Sequence, residues 1–547
     1  MSKIFKYISW DWLLLGAIAL AVILRIIHLG SREFWYDEVL SLLLSTGKKS
    51  LYSTPKDLPV AIASYQNLFS LPVENSFSDV FTTLEKLLKG LVAEPHPPLF
   101  YLGQHFWLRL FGNSEVAMRS LPVLYSIGAM GCAYGIGRYL LGPKGGLLFS
   151  ALLGLNPFFL FHSLNVRMYC PLVFWTVLTS WAFLETTNKN NTSKKQWFWS
   201  LILIFAVAAG FMTFYYFLFM VASLGILVLL TDIKRWWQHA IRLSIGVLIP
   251  LPWLLWGTRQ QLNNADLGRF AAGSNLLETI SKHLQGIINT VTPLLVWGDW
   301  VTIMPTGVII LSGIIAIALL IAVIIHLWRE NQRQLLVVAL CFGILPFLMM
   351  IMVDVVTGKF TVGFGWGRSL IFILPGCLLL LTIASEKAAG KWKRISALAL
   401  LLFYLTVNVT DFSWRSRWMF HKIADIIEQE TTQPTLIAMN SNAWGHVLRL
   451  AYYLPSDSSL MLLAQNSAKL ANALDKTLSA PSSAYKYILW LDSDRPVWGS
   501  PATAVEKKQI KQTLVPEFEL IKTERLIGTW ELDNFTAHLY QRRLPNS

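Results

Sequence analysis

The sequence predicts a polytopic α-helical membrane protein carrying a small C-terminal α/β domain. Three observations lead to that fold class. Of 547 residues, 54% are hydrophobic and only 14% are charged, less charge than soluble domains carry. Apolar runs of about 18 residues or more, long enough to cross a hydrocarbon core, recur along most of the chain. Only after residue 411 does the pattern change to short strand-like and helix-like segments in alternation.

About eleven spans are expected, near 12–29, 115–140, 145–163, 170–185, 197–214, 216–231, 240–257, 304–326, 335–353, 369–385 and 395–411. The first lacks a small-residue cleavage site and is expected to stay as a helix. Every second connection is short and basic. Lys3 and Lys6 precede the first span, and Arg138 and Lys144 follow the second. Lys189, Lys194 and Lys195 come next, then Lys234, Arg235 and Arg242. Arg329 and Arg333 follow, and the last group is Lys387, Lys391, Lys393 and Arg394. By the positive-inside rule these connections and the N-terminus are cytoplasmic; the expected location is the plasma (cell inner) membrane, crossed several times. The same rule accounts for the net charge of +14, so nucleic acid is not an expected partner. The 23 Trp and 17 Tyr suit a protein with many membrane–water interfaces. The four cysteines lie in or beside apolar runs, without metal-ligand spacing, and predict no disulfide.

An odd number of spans puts the C-terminus outside. Residues 1–411 then form the membrane domain, with a long first outward loop over 30–114. Residues 412–547 form an exoplasmic, periplasmic-side domain. Within the loop, Phe77, Val80, Phe81, Leu84, Leu87, Leu88, Leu91 and Val92 recur at helical spacing behind a Ser76–Asp79 cap. That pattern predicts an amphipathic helix on the membrane surface. Pro97-Pro98 opens a second helix over 99–111. In the tail, 435–439, 485–491, 518–522 and 536–541 read as strands, and 423–430, 444–453 and 505–514 as helices. No internal repeat is visible, which counts against transporter folds built on duplicated halves.

The residues that could carry chemistry cluster at the outward ends of spans. Phe34-Trp35-Tyr36-Asp37-Glu38 places two adjacent carboxylates beside aromatic rings at the membrane surface, where charge is costly to desolvate. A carboxylate there can act as a general base on an acceptor hydroxyl; the plainer reading is a solvated pair in a loop. Glu94-Pro95-His96-Pro97-Pro98 offers a second acid and an imidazole suited to a phosphate or metal, against a plain helix start with polar caps. Asn165-Val166-Arg167-Met168-Tyr169 and Gly363-Phe364-Gly365-Trp366-Gly367-Arg368 present outward arginines, which break the positive-inside pattern together with Lys359. Arg167 and Arg368 can grip a phosphate in bidentate fashion or snorkel toward headgroups. Asp492-Ser493-Asp494 has the form of a metal–nucleotide motif but sits where a strand turns.

Taken together, these segments resemble the GT-C glycosyltransferases, and within them the dolichyl-phosphate-mannose–protein mannosyltransferase-like group near the aminoarabinose transferases. The matching stretches are Trp35–Glu38, Glu94–Tyr101, Trp107–Glu115 with Arg119 and Pro122, and Asn165–Tyr169. Similar proteins often carry Arg-Tyr where this chain has Arg368-Ser369. The resemblance implies a polyprenyl- or dolichyl-phosphate sugar donor, an exoplasmic acceptor hydroxyl on protein, lipid or glycan, and inversion at the anomeric carbon. It implies Asp37 as catalytic base, Glu38 assisting, and Glu94 as a second acid. His96, Arg167 and Arg368 would then bind the donor phosphate. Some members use a divalent metal near these acids, a role that would fall here to Asp37 and Glu94. The competing readings are a transporter or flippase of a lipid-linked sugar and a non-catalytic scaffold.

Overall fold

A computed structural model describes residues 9–264, 270, 275–388, 390–431, 434–456, 459–480, 485–497, 499–529 and 531–543. The basic residues Lys3 and Lys6 lie outside the described residues. The chain divides into two compact units. The first holds residues 1–29, 91–103 and 119–413; the second holds 30–90, 104–118 and 414–547.

The first unit is helical. Six helices among the described residues are long and apolar enough to cross a membrane: Trp10–Ile27, Glu115–Leu155, Ser193–Thr213, Thr306–Arg329, Gly365–Lys387 and Trp392–Glu430. Two bent pairs, Phe217–Thr231 with Ile233–Leu248 at 117° and Arg333–Phe342 with Ile344–Thr357 at 46°, raise the number to eight if each is one span. The chain is thus a multi-pass membrane protein with six to eight such helices by composition, against eleven expected spans.

Two causes of the difference are visible. The 41-residue Glu115–Leu155 stretch is interrupted at Gly142 (φ 82°, ψ 179°). A Cβ on Gly137 would lie 2.7 Å from Gly146 Cα. Nine residues of straight helix would hold those positions about 13 Å apart, so the chain turns back on itself, and two expected spans share one helix assignment. The Tyr169–Thr187 helix has 19 residues but is diluted by Thr176, Thr179, Ser180, Glu185, Thr186 and Thr187, which leaves it short of the apolarity a span needs.

The second unit is built on a six-stranded sheet in the order β1-β3-β2-β4-β6-β5. Its strands are β1 Val60–Ala61, β2 Thr435–Met439, β3 Leu460–Ala464, β4 Tyr487–Ser493, β5 Phe518–Leu526 and β6 Phe535–Arg542. β3, β2 and β4 run parallel, and β6 and β5 continue antiparallel. The edge strand β1 comes from the first loop and pairs antiparallel with β3, Val60 opposite Leu462. β2 and β4 are buried on both faces, as parallel strands covered by helices must be. Leu436, Leu463, Leu474, Ile488, Trp490, Ile510 and Phe518 are among the residues of the core that closes over the sheet.

The helices of the first loop form as their spacing predicts. Phe77–Leu91 starts after Ser76, whose Oγ accepts from the Asp79 N–H at 3.2 Å, while Asp79 Oδ2 accepts from the Asn75 N–H at 2.9 Å. Phe77 and Phe81 are exposed and Leu87 is buried. Leu99–Phe111 begins directly after Pro97-Pro98. There the missing proline N–H is no loss, because first-turn donors have no helical partner.

Candidate active site

In the second unit the acidic motif starts a helix. Trp35 is extended (φ −71°, ψ 162°), and the Tyr36–Ser45 helix begins at the next residue. Glu38 turns back so that its Oε2 accepts from the Trp35 N–H at 2.8 Å, and its side chain is fully buried. It satisfies one of the backbone donors that every helix N-terminus leaves over. Asp37 is half-buried in the same first turn, where the helix dipole favours a carboxylate. Two adjacent acids therefore sit in different surroundings.

The strand of chain ahead of the motif is tied to the tail. The Glu33 N–H donates to Arg417 O at 3.0 Å, and Glu33 Oε1 accepts from the His421 N–H at 2.7 Å. The Phe34 N–H donates to Tyr453 Oη at 2.6 Å, and the Tyr453 hydroxyl donates in turn to Glu115. Gly445 opens the first turn of the Trp444–Tyr453 helix, and a Cβ there would stand 2.5 Å from the Tyr36 ring. Only a glycine lets this backbone lie flat on Tyr36. His446 meets the Tyr36 ring edge-on at 5.6 Å. Its Nδ1 lies 2.8 Å from Ser441 Oγ.

In the first unit Glu94 and His96 share one pinned segment. Gln261 Nε2 donates to Leu91 O and to His96 O, each at 2.9 Å. Gln261 Oε1 accepts from Tyr215 Oη at 2.6 Å, and Tyr215 Oη accepts from Trp253 Nε1 at 2.9 Å. The His96 ring stacks on Phe214 with centroids 5.6 Å apart, and Glu94 is only 9% exposed.

Arg167 reaches Tyr101, and Arg368 reaches the ring of Tyr169. Arg167 is 5% exposed and its Nη1 donates to Tyr101 Oη at 3.4 Å. Tyr169, two residues on, starts the Tyr169–Thr187 helix, and the Arg368 guanidinium stands 6.0 Å from its ring centroid. Arg368 is delivered by three successive left-handed residues, Gly365 (φ 62°), Trp366 (φ 56°) and Gly367 (φ 75°). A non-glycine residue costs about 1–3 kcal/mol in such a conformation. The approach to this turn is held by Asp354, whose Oδ2 accepts from the Thr361 N–H at 2.7 Å and the Val362 N–H at 3.0 Å.

Of the six residues singled out in sequence, the structure thus groups Glu94 with His96 and Arg167 with Arg368, both pairs in the first unit. Asp37 and Glu38 belong to the second. Gln261 and Phe214 carry no local mark in the sequence, and their partners lie far along the chain; Tyr101 closes the Glu94–Tyr101 stretch, but its contact with Arg167 is not legible there. Asp492 accepts from Asn440 Nδ2 at 2.8 Å and pairs with Lys507 Nζ at 2.5 Å, while Asp494 pairs with Arg525. Both carboxylates are thereby engaged as strand-end anchors. Among the described residues no three His, Cys, Asp or Glu side chains assemble a metal-binding group.

Residues 95–256 match the family model of dolichyl-phosphate-mannose-protein mannosyltransferase. No curated protein matches the chain in sequence. Among solved structures, ArnT from Cupriavidus metallidurans bound to undecaprenyl phosphate aligns over 97% of this chain and 98% of its own, with 10% identity and a TM-score of 0.55. The chain has a GT-C fold. The oligosaccharyltransferase AglB from Archaeoglobus fulgidus, in complex with an inhibitory peptide and a dolichol-phosphate, aligns over 90% of this chain and 70% of its own, with 13% identity and a TM-score of 0.48. The family match takes in His96, Tyr101 and Arg167, and begins one residue after Glu94.

Proposed function

We propose that this protein is an inverting glycosyltransferase that moves a sugar from a polyprenyl-phosphate carrier onto an acceptor hydroxyl on the exoplasmic side. The observation that carries the reading is the Arg167 guanidinium, almost wholly buried in an apolar helical unit, together with the Arg368 guanidinium on the ring of Tyr169, two residues further along the chain. A planar guanidinium can grip a phosphate in bidentate fashion, and the phosphate of a membrane-held lipid carrier is an anion that reaches that depth. The fold is shared with a protein solved with undecaprenyl phosphate, which supports the same choice of carrier.

In the proposed reaction the acceptor oxygen attacks the anomeric carbon from the face opposite the phosphate. The C–O bond to phosphate breaks as the new C–O bond forms, and the hydroxyl proton passes to the Asp37 carboxylate. The bond electrons leave on the polyprenyl phosphate, where Arg167 and Arg368 hold the added charge and His96 can donate a further hydrogen bond. Glu38 acts through Asp37 by fixing the turn that presents it, and Glu94 stands as the second acid. Fixing carrier and acceptor together supplies much of the acceleration.

The test is transfer of radiolabelled sugar from membrane lipid extracts to endogenous acceptors, with purified wild-type protein beside Asp37→Asn. The mutant is expected to lose about 10²–10⁴-fold in rate while still binding carrier lipid. Equal transfer would remove Asp37 from the base role and turn attention to Glu94. Absence of transfer by wild type with every sugar-loaded carrier would favour a transporter.

A further inference from the structure

At the far end of the Tyr169–Thr187 helix from Arg167, about 28 Å along its axis, the first unit contains a cavity of about 370 Å³. Its apolar wall includes Phe183, Leu184, Leu227, Leu230, Leu335 and Val338, and its polar lining includes Lys189, Asp232 and Arg235. The cavity exists because the chain bends by 117° between Phe217–Thr231 and Ile233–Leu248. The bend is locked in place. Asp232 Oδ2 pairs with Arg235 Nη2 at 2.7 Å and meets His239 Nε2 at 3.1 Å, and Arg235 Nη2 also donates to Thr187 O at 3.0 Å. Asp232 thus neutralises Arg235, and Lys189, which makes no ion pair among the described residues, leaves the lining with one net positive charge. Exposed Ile233, Trp236 and Trp237 continue from the bend, as apolar and aromatic side chains do at a membrane interface.

We propose that this cavity is a binding site for an anionic membrane phospholipid, separate from the carrier site. The phosphate would be taken by Lys189 and the open side of the Arg235 guanidinium, and an acyl chain would lie along Leu227, Leu230, Leu335 and Val338. The volume suits a headgroup with the first part of a chain rather than a whole lipid. A cation fixed at the mouth of an apolar slot matches a molecule with one anionic end and one hydrocarbon end. A soluble anion would use only these cations and leave the wall uncovered. The site does not depend on the transfer chemistry, because it lies at the other end of the helix from Arg167 and contains none of the residues assigned to the reaction.

The experiment is native mass spectrometry of the full chain released from nanodiscs of mixed phosphatidylglycerol and phosphatidylcholine. Wild type is expected to retain one phosphatidylglycerol in preference to phosphatidylcholine. Lys189→Gln should reduce that retention about fivefold, the worth of one basic residue against an anionic lipid, and Lys189→Arg should restore it. Leu230→Trp, which fills the slot from its exposed rim, should reduce retention with all charges in place, while transfer activity in detergent stays at the wild-type level in each variant. Equal retention by wild type and Lys189→Gln, or no preference between the two lipids, would overturn the proposal. So would protection of the wild-type melting temperature by millimolar inorganic phosphate equal to that given by phosphatidylglycerol, because the ligand would then be a free anion.

Discussion

At the scale of single residues, neighbours of the same type separate by what they touch. Glu38 spends its carboxylate on the Trp35 N–H, whereas Asp37 stands half-buried beside it. Glu38→Gln keeps an acceptor for that N–H, so it is expected to retain most of the transfer activity that Asp37→Asn loses; a parallel rate measurement on the two purified variants checks this. Arg167→Lys keeps the charge but loses the planar fork that reaches Tyr101. The expected result is a rise in KM for the lipid carrier of about tenfold or more, one charge-assisted hydrogen bond being worth about 1.5–3 kcal/mol. His446 gives the second unit a pH dependence. Burial, helped by the nearby Arg449 cation, pushes its imidazole down to about 3. The unfolded chain takes up this proton near pH 6.5 and the folded chain only near 3, so the stability from a neutral His446 is complete above 6.5 and is lost as pH falls through that window. Denaturant midpoints at pH 7 and pH 4.5 should therefore differ in wild type, and the difference should shrink in His446→Phe.

At the scale of elements, the decisive contact is a helix lying on a ring. With Gly445 replaced by valine, the new side chain would have to displace Tyr36, and overpacking of this kind costs about 1–3 kcal/mol. Gly445→Val is expected to lower the melting temperature and to reduce kcat for transfer more than it raises KM for the carrier, because it disturbs the acidic turn and leaves Arg167 and Arg368 alone. Steady-state kinetics on the folded variant measures both. The same contact shows where sequence reading stops. The cap of Phe77–Leu91 and the proline start of Leu99–Phe111 follow from residues one to four places apart, and they are legible; the Tyr36–Ser45 helix, whose first turn reads in sequence as an acidic motif in a loop, is not. The Trp444–Tyr453 helix and β2 are legible by their own periodicity and composition. β3 is not: Leu460-Met461-Leu462-Leu463-Ala464 has no alternation and is rich in helix-favouring residues, and only its place between β1 and β2 makes it a strand. β1 has two residues and no signal of its own. In the candidate site the motifs single out Asp37, Glu38, Glu94, His96, Arg167 and Arg368 by residue type and local spacing. Gln261, which ties down the Glu94–His96 segment from 165 residues away, carries no mark in the sequence.

At the scale of the whole molecule, residues 30–90 and 104–118 form one compact unit with residues 414–547, while 91–103 belong to the helical unit. Removing residues 415–547 would take away the partner of β1 and uncover Phe34 and Tyr36, both buried. The truncated protein is expected to lose transfer altogether and to become sensitive to protease within 30–90, while the membrane helices stay intact; limited proteolysis in detergent, read by peptide mass, checks this. A truncated protein with an intact 30–90 segment and an altered acceptor range would instead make the tail a device for choosing acceptors.

The bond from the Phe34 N–H to Tyr453 Oη joins positions 419 residues apart. A ribosome adding about 5–20 residues per second needs roughly half a minute or more to supply the second partner after the first. During that interval the acidic turn has emerged but has nothing to rest on, and it becomes ordered only when the closing part of the polypeptide arrives. Synthesis therefore sets an order: a chain terminated between residues 368 and 444 would hold Arg167 and Arg368, which the proposed function assigns to the carrier phosphate, but not the Trp444–Tyr453 helix on which the acidic turn rests.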